Sequence, residues 1–252
     1  MPKRKFSRVR NYFQNLIAAF LLVALITGLS LTALYAHKRY LEYVIGSNTF
    51  LIKSLPDAPL QGSATAFEIK ARSGRVYTVT NSHVCELGNK DGQLQIFEKQ
   101  HSKRWLPIKI LENYQDHDLY ILEGVAEYDG LDIGSRPEVG DQGFVFGHPF
   151  GSSLHSASGR IKIIEKISVG TSLSEDRCTG EGKKFIPTWL GPVCVIIYEA
   201  LSTELLIYPG NSGSALVNIY GNVIGVIFAS NNTNHWGYAV PFEHLERLLN
   251  AY

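Results

Sequence analysis

The residues best suited to chemistry lie near the C-terminal end of the sequence, where Ser212 stands between glycines. The run Gly210-Asn211-Ser212-Gly213-Ser214 follows Pro209 and leads into an apolar segment that begins at Ala215. A serine hydroxyl is a weak nucleophile unless a base activates it and donors stabilise the oxyanion that it creates. Glycine permits the backbone conformations that turn the hydroxyl outward and aim two N–H groups at one point. The motif therefore predicts a nucleophilic serine that needs a base and an acid from elsewhere in the chain.

Residues that can serve as the base and the acid occur upstream, in the order histidine, aspartate, serine. His83 follows a predicted strand over residues 76–80, and Asp118 opens the apolar run that ends at Leu122. Serine hydrolases of unrelated folds place these three residue types in different orders along the chain. The order here is that of the chymotrypsin arrangement, and the residues flanking Ser212 do not form the GxSxG motif of the α/β-hydrolases.

Two neighbouring residues are weaker candidates for the same roles. His117 precedes Asp118, but adjacent residues on a strand point to opposite faces, so the two side chains cannot easily face each other. Asp116 is a second acid nearby, yet it does not directly open the apolar run. The sequence therefore favours Asp118 over Asp116 as the acid and His83 over His117 as the base.

The elements that must position these residues are predicted to be short strands. They are rich in β-branched and aromatic residues at near-alternating positions and are separated by Gly, Asn and Asp. The predicted strands are 64–71, 76–80, 93–98, 104–111, 119–123, 143–147, 160–168, 195–200, 215–219, 222–229 and 236–240. Many short strands predict an all-β barrel or sandwich. Only residues 241–252 are predicted to be helical, because their apolar side chains fall on one face.

The N-terminal part of the chain has a different composition. Residues 1–14 are basic, residues 15–36 form an uncharged apolar stretch, and residues 37–60 are predicted to be a stem or linker before a catalytic domain over 61–252. About 20 apolar residues suffice to cross the hydrocarbon core of a bilayer. Positive charge tends to remain on the cytoplasmic side, and most of it precedes the stretch. The pattern predicts one transmembrane signal anchor, with a cytoplasmic N-terminus and the rest of the chain exported to the bacterial periplasm or cell exterior.

A cleaved signal peptide is the alternative interpretation of this segment. Signal cleavage favours small residues at the last and third-last positions, whereas the exit Leu34-Tyr35-Ala36 has leucine at the third-last. Gly28-Leu29-Ser30 is also a poor site. These sequences favour an anchor that is retained.

Charge and cysteine content exclude several functional classes. The net charge is +1, and the basic residues cluster in the N-terminal tail, which argues against nucleic-acid binding. Three cysteines without a CxxC pair argue against a disulfide scaffold and a zinc site, and no metal or cofactor is expected. Cys178 and Cys194 form a candidate disulfide in an oxidising compartment, and Cys85 is expected to be a buried small apolar residue.

Five segments, in order, resemble the chymotrypsin-fold serine proteases and most closely the HtrA (Deg) group. They spread over nearly all of residues 61–252. The segments are Gly62-Ser63-Ala64-Thr65-Ala66-Phe67 with Thr80-Asn81-Ser82-His83-Val84, Asp118-Leu119-Tyr120-Ile121-Leu122, Gly147-His148-Pro149-Phe150-Gly151, Pro209 to Val217, and Ala239-Val240-Pro241.

This resemblance implies two six-stranded antiparallel Greek-key barrels with a C-terminal helix and an active site in the cleft between them. It assigns Ser212 as nucleophile, His83 as general base and then acid, and Asp118 as the group that orients the imidazole. The N–H groups of Gly210 and Ser212 would form the oxyanion hole. Asn211 replaces the aspartate that pairs with a newly cut N-terminus in trypsin relatives, so activation by such a cut is not expected.

The resemblance also points to the walls of the primary specificity pocket. Ile207 lies on the segment before the nucleophile, and Ile227, Phe228 and Ala229 lie on the strand expected to form the other wall. No charged residue is among them, although Glu204 stands at the edge. An apolar pocket predicts cleavage after Val, Ala, Leu or Ile.

Three interpretations of the biological role are compatible with the sequence. The chain ends after the predicted C-terminal helix, so the PDZ domain usual in this group, and PDZ-driven activation, are not expected. In the first interpretation the enzyme cleaves misfolded proteins in general, as part of quality control. In the second it cleaves a single dedicated partner at the membrane. The third interpretation is a catalytically silent binding module with the same fold. Trimers are common in the group, so a homo-oligomer is an expectation from resemblance alone.

Overall fold

The structure is a computed structural model of the 252-residue chain. It describes residues 3–87, 93–97, 105–114, 117–122, 128–171, 183–188, 191–231 and 236–250. The chain divides into two compact units, Met1–Tyr43 and Val44–Tyr252.

The first unit consists of helix α1, which spans Lys3–Ser47 and so ends a few residues inside the second unit. The apolar side chains of its middle section are exposed, including Phe20, Leu29 and Leu34. Residues Leu16–Ser47 are long and apolar enough to cross a membrane, a test that a signal sequence also passes. At 1.5 Å per residue they measure about 48 Å, more than the roughly 30 Å of a hydrocarbon core. The predicted segment 15–36 lies almost entirely within this stretch.

A closed barrel of six antiparallel strands forms the first half of the second unit. The strands are β1 (Thr49–Lys53), β2 (Ser63–Lys70), β3 (Val76–Thr80), β4 (Gln93–Phe97), β5 (Trp105–Tyr114) and β6 (Leu119–Leu122). Their order is β1-β2-β3-β6-β5-β4, and pairing of β1 with β4 closes the ring. Alternate residues point inward, so that Phe50, Ile52, Leu94 and Ile96 fill a shared core.

Seven further strands form the second half. They are β7 (Gln142–Gly147), β8 (His155–Thr171), β9 (Lys183–Thr188), β10 (Gly191–Thr203), β11 (Ala215–Val217), β12 (Val223–Ser230) and β13 (Gly237–Pro241). The order is β13-β12-β11-β7-β8-β10-β9, and β10 also pairs with β13 through Leu201 and Ala239. This pairing closes six strands into a second ring and leaves β9 as a hairpin extension. The prediction of two six-stranded antiparallel barrels is confirmed.

Helix α2, Phe242–Asn250, follows β13 directly and buries His244, Leu245, Leu248 and Leu249. This matches the helix predicted over residues 241–252. Arg72 on the β2–β3 turn pairs with Glu246, an ion pair that joins the helix to the first barrel.

Two strands lie where no strand was predicted. Strand β1 falls inside residues 37–60, so this segment is not a linker throughout, and the first barrel begins before residue 61. Thr49 and Phe50 are fully buried there, and the proline-containing stretch after β1 forms the connection to β2. Strand β9 lies in the Lys- and Gly-rich stretch after residue 170, and it exists by pairing with β10. Tertiary pairing overrides weak local preference in both cases.

Candidate active site

The loop that carries Ser212 connects β10 to β11 and depends on two glycines. Gly210 and Gly213 have φ angles of +95° and +84°, in the left-handed region that glycine adopts without strain. A Cβ at Gly213 would overlap the carbonyl oxygen of Thr65 and the hydroxyl of Thr80. A Cβ at Gly210 would lie 2.5 Å from the carbonyl oxygen of His148. Backbone conformation and space therefore both require glycine at these positions.

The amide groups of this loop are used in an alternating pattern. The N–H of Asn211 donates to Tyr208 O (3.0 Å), that of Gly213 to Ile227 O (2.8 Å) and that of Ser214 to Asn211 O (3.0 Å). By contrast, the N–H groups of Gly210 and Ser212 donate to no residue in the described part of the chain. Two amides on alternate residues are thus left to bind an oxygen atom, as an oxyanion hole requires.

His83 and Asp118 are in direct contact. His83 begins a short 3₁₀ turn, His83–Leu87, directly after β3, and Asp118 precedes β6. The distance from His83 Nδ1 to Asp118 Oδ2 is 2.8 Å. The histidine side chain is 42% exposed, whereas the aspartate side chain is only 5% exposed. The pair therefore presents a solvent-accessible imidazole that is anchored by a buried carboxyl group.

The other oxygen of Asp118 is also fully engaged. Asp118 Oδ1 accepts from the backbone N–H of His83 (2.9 Å) and from the hydroxyl of Ser82 (2.8 Å). The side-chain amide of Asn81 donates to the backbone carbonyl of Asp118 (2.9 Å). Asp118 has a φ of 52°, a strained conformation for a residue other than glycine and one often found at functional sites. Four hydrogen bonds therefore hold Asp118 in place.

Ser212 is connected to this pair through the first barrel. The N–H of Thr65 on β2 donates to Ser212 O (2.9 Å), and the hydroxyl of Thr80 at the end of β3 donates to Thr65 O (2.8 Å). Thr80 lies only three residues before His83. The serine loop of the second barrel thus contacts the two strands of the first barrel next to which His83 lies.

The residues predicted to line the specificity pocket lie next to the serine loop in the second barrel. Ile207 and Ile227 belong to its core, Phe228 is also buried, and Ala229 is half-buried. The register of β12 against β13 shifts between Ile227 and Ala229, which indicates a bulge at Phe228. Bulges often redirect side chains beside active sites. Glu204, the acid predicted at the edge, pairs with Lys162.

His117 contacts the C-terminal helix. Its ring stacks on that of His244 with the centroids 3.6 Å apart, and Arg247 Nη2 donates to His244 Nδ1 at 3.1 Å. Asp116, the alternative acid, lies outside the described residues.

The His244 contact predicts a pH-dependent stability. Burial, reinforced by the nearby His117 and Arg247, lowers the pKa of His244 from 6.5 to about 4. Between these values the unfolded chain binds a proton that the native chain does not. The free energy of unfolding therefore falls as the pH drops from 6.5 towards 4. Unfolding by urea of the unmutated chain and of His244→Gln, measured at several pH values in this window, should show a shallower pH dependence in the variant. Equal slopes would contradict this role of His244.

The candidate disulfide between Cys178 and Cys194 lies outside the described side chains. Cys178 lies outside the described residues, and Cys194 lies on β10 opposite Phe185 of β9, with its side chain outside the described part. Within the described side chains, no group of three His, Cys, Asp or Glu residues could hold a metal ion.

Sequence reasoning missed the residues that support the site. In the sequence Ser82 and Asn81 stand out only as neighbours of His83, yet both form hydrogen bonds that hold Asp118. Thr65 lies 145 residues before Gly210 and nevertheless bonds to it. The position of Ser82 within the histidine motif offered a signal for the first of these contacts. A single sequence offers no signal for the contact of Thr65.

Known proteins resemble this chain in both sequence and fold. Residues 64–226, well over half of the chain, match the family model of the trypsin-like peptidase domain. The Do-like serine protease HtrA of Lactococcus lactis subsp. lactis is 24% identical over 82% of this chain, and Do-like HtrB of Bacillus subtilis is 24% identical over 71%. The chain spans 48% and 36% of the length of these two relatives.

Solved structures agree with this fold. The active form of the Rv3671c protease from M. tuberculosis superposes with a TM-score of 0.63 at 16% identity, covering 83% of this chain and 82% of that protein. The serine endoprotease from Yersinia pestis gives 0.60 at 18% identity, covering 84% and 64%. The chain therefore belongs to the trypsin-like peptidase domain family, with distant similarity to the HtrA/Do-like serine proteases.

Proposed function

We propose that this protein is a membrane-anchored serine endopeptidase that uses Ser212, His83 and Asp118. The observation that carries the proposal is the bond from His83 to the buried Asp118, together with the two amides at Gly210 and Ser212 that donate to no described residue. A base that is oriented by an acid and a pair of free donors beside a serine are the parts that acyl transfer requires.

The hydrogen bonds around Asp118 define the protonation state that the reaction needs. A carboxylate oxygen only accepts, so the bond to Oδ2 assigns the proton of neutral His83 to Nδ1. The lone pair on Nε2 then takes the proton of the Ser212 hydroxyl as its oxygen attacks the substrate carbonyl. The oxyanion of the tetrahedral intermediate receives hydrogen bonds from Gly210 and Ser212. His83 returns the proton to the leaving amine, and water hydrolyses the acyl-enzyme by the same steps.

The proposed substrate preference is for small or medium apolar residues before the cleaved bond. The four residues proposed as the walls of the specificity pocket, Ile207, Ile227, Phe228 and Ala229, are all apolar, and Ala229 is the one that is partly exposed. The ion pair of Glu204 with Lys162 leaves that carboxylate already neutralised. A charged side chain entering such a pocket would lose its hydration without a partner, which is costly.

Helix α1 supports an anchored enzyme whose peptidase domain lies on the exported side of the membrane. Its apolar middle is exposed, and five basic residues precede it, an arrangement that favours a cytoplasmic N-terminus. Two roles fit such an enzyme: quality control of proteins in general, or cleavage of one dedicated partner.

Cleavage by right-side-out membrane vesicles that carry the full-length chain tests this proposal. Reduced, unfolded casein added to the outside should be cut without detergent, and mass spectrometry should identify Val, Ala, Leu or Ile before most new termini. Cleavage after Lys, Arg, Asp or Glu should be at least about 100-fold less efficient, because a buried unpaired charge costs several kcal/mol.

Vesicles that carry Ser212→Ala provide the matched control and should leave casein intact. Cleavage that appears only after detergent is added would contradict the proposed orientation. Cleavage mainly after charged residues would contradict the proposed apolar specificity pocket. If casein stays intact and Ser212 also fails to react with a serine-directed probe, the chain is a silent binding module. A reactive Ser212 with intact casein would instead indicate a dedicated substrate.

A further inference from the structure

We infer that the hydroxyl of Thr65, on the first barrel, positions the oxyanion hole of the second barrel. Thr65 is fully buried on β2, and its Oγ1 donates to the carbonyl oxygen of Gly210 at 2.8 Å. The inference rests on the proposed function, because it assigns the amides of Gly210 and Ser212 to the oxyanion. Thr65 acts through these amides as a positioning residue and not as a group that touches substrate.

Each of four consecutive carbonyl groups in the serine loop has one identified donor. Pro209 O accepts from Phe150 N (2.6 Å), Asn211 O from Ser214 N (3.0 Å) and Ser212 O from Thr65 N (2.9 Å). Gly210 O accepts from the Thr65 hydroxyl. The Gly210 amide shares its peptide plane with Pro209 O, and the Ser212 amide shares its plane with Asn211 O. The bonds from Phe150 N and Ser214 N therefore hold these two planes, and the Gly210 carbonyl belongs to the plane between them. Only the bond at Gly210 comes from a side chain, so it is the one restraint that a substitution can remove without changing the backbone.

Gly210 is the position where such a restraint has the greatest effect. Its φ of +95° is one of several conformations open to a residue without a Cβ. Rotation of the Gly210–Asn211 peptide plane about the Gly210 backbone would change the angle between the Gly210 and Ser212 amides, which lie in the planes on either side of it. Preorganised donors stabilise a transition state because they need not reorient during the reaction. The Thr65 hydroxyl therefore supplies preorganisation that glycine cannot supply for itself.

The same hydroxyl also joins the loop to a third segment. The N–H of His148 donates to Thr65 Oγ1 at 3.0 Å, in the segment where Phe150 adopts a φ of 53° and donates to Pro209 O. The backbone of Thr65 is engaged as well, through its N–H to Ser212 O and its carbonyl to Thr80. Its hydroxyl must both donate and accept, so serine can replace it and valine cannot.

Substitutions at Thr65 and at a matched second threonine test this role in the full-length chain in detergent micelles. Thr203 is also fully buried, and its Oγ1 donates to Gly237 O (3.0 Å) and accepts from Leu205 N (3.4 Å). Thr203→Val thus removes a hydroxyl in nearly the same environment without touching Gly210. The readout is the rate of reaction of Ser212 with a fluorophosphonate, separated into a binding constant and a maximal rate, at temperatures where every variant is folded.

Thr65→Val should lower the maximal rate about 10- to 100-fold with little change in the binding constant, since misplaced donors weaken the transition state alone. Thr65→Ser should restore most of the rate. The apparent pKa of the rate profile should match that of the unmutated chain, because the contact between His83 and Asp118 is unaltered. Thr203→Val should lower stability by a similar amount and change the maximal rate by less than about threefold.

Three results would overturn the inference. They are an unchanged maximal rate in Thr65→Val, an equal loss in Thr65→Ser, and an equal loss in Thr203→Val. If any one of these results is found while the unmutated chain reacts and Ser212→Ala does not, the proposed function stands and only the role of Thr65 fails. If the unmutated chain does not react, the proposed function fails and the inference fails with it.

Discussion

Replacing Ser212 with alanine is expected to abolish peptide hydrolysis, with a loss on the order of a million-fold, as in other enzymes that lose the nucleophile of a triad. The substitution removes the attacking oxygen and leaves the contacts of the loop in place. Ser212 O still accepts from Thr65 N, and the flanking glycines keep their conformations. The rate of cleavage of unfolded casein by purified full-length chain, measured against unmutated protein, gives the result.

Ser214→Ala is the matched control for this substitution. It removes the same atom from the same motif, and Ser214 Oγ is buried without a hydrogen-bond partner in the described part of the chain. Removal of an unpaired buried hydroxyl is close to neutral or stabilising. Activity should therefore stay within a few-fold of the unmutated rate. Loss of activity in Ser214→Ala with retention in Ser212→Ala would mean that the nucleophile is misassigned.

Asp118→Asn is expected to lower turnover by about 10⁴-fold while the fold is retained. Oδ1 of Asp118 accepts from both His83 N and Ser82 Oγ, so the single oxygen of asparagine should occupy that position. The amide nitrogen would then face His83 Nδ1 and donate to it. The proton of the imidazole would move to Nε2, where the lone pair is needed to accept the proton of Ser212. Turnover and circular dichroism of the variant, measured together, separate this effect from unfolding.

Asp116→Asn is the companion substitution, because Asp116 is the other acid that the sequence offers at this point. It should retain most of the unmutated rate if Asp118 orients the imidazole. A strong loss in Asp116→Asn, together with near-normal turnover in Asp118→Asn, would transfer the role to Asp116.

The strands were predictable where burial imposes alternation on the sequence. Strand β4 is an example, with Leu94 and Ile96 inside and their neighbours half-exposed. Strand β1 was not predictable, because its five residues follow a long helix and precede a proline-containing turn. Its place depends on pairing with β2 and β4, which begin 10 and 40 residues after β1 ends. Strand β9 has the same origin, since pairing with β10 compensates for its weak local pattern.

The residues of the candidate site were also predictable only in part. His83, Asp118 and Ser212 could be proposed from sequence because chemistry restricts the residue type at each position and local motifs surround each one. The residues that hold them are less restricted. Ser82 and Thr65 contribute hydroxyl groups whose partners are set by the approach of distant segments. One sequence contains the residue types, whereas the partners become visible only in the folded chain.

Whether Ser212 is activated in the folded protein decides the assignment of the triad. Full-length chain in detergent micelles would be treated with a fluorophosphonate, and intact mass with peptide mapping would locate the adduct. We expect one adduct per chain, at Ser212, which disappears in Ser212→Ala and forms far more slowly in Asp118→Asn. A folded protein that forms no adduct, or that forms one at another residue, would contradict this assignment.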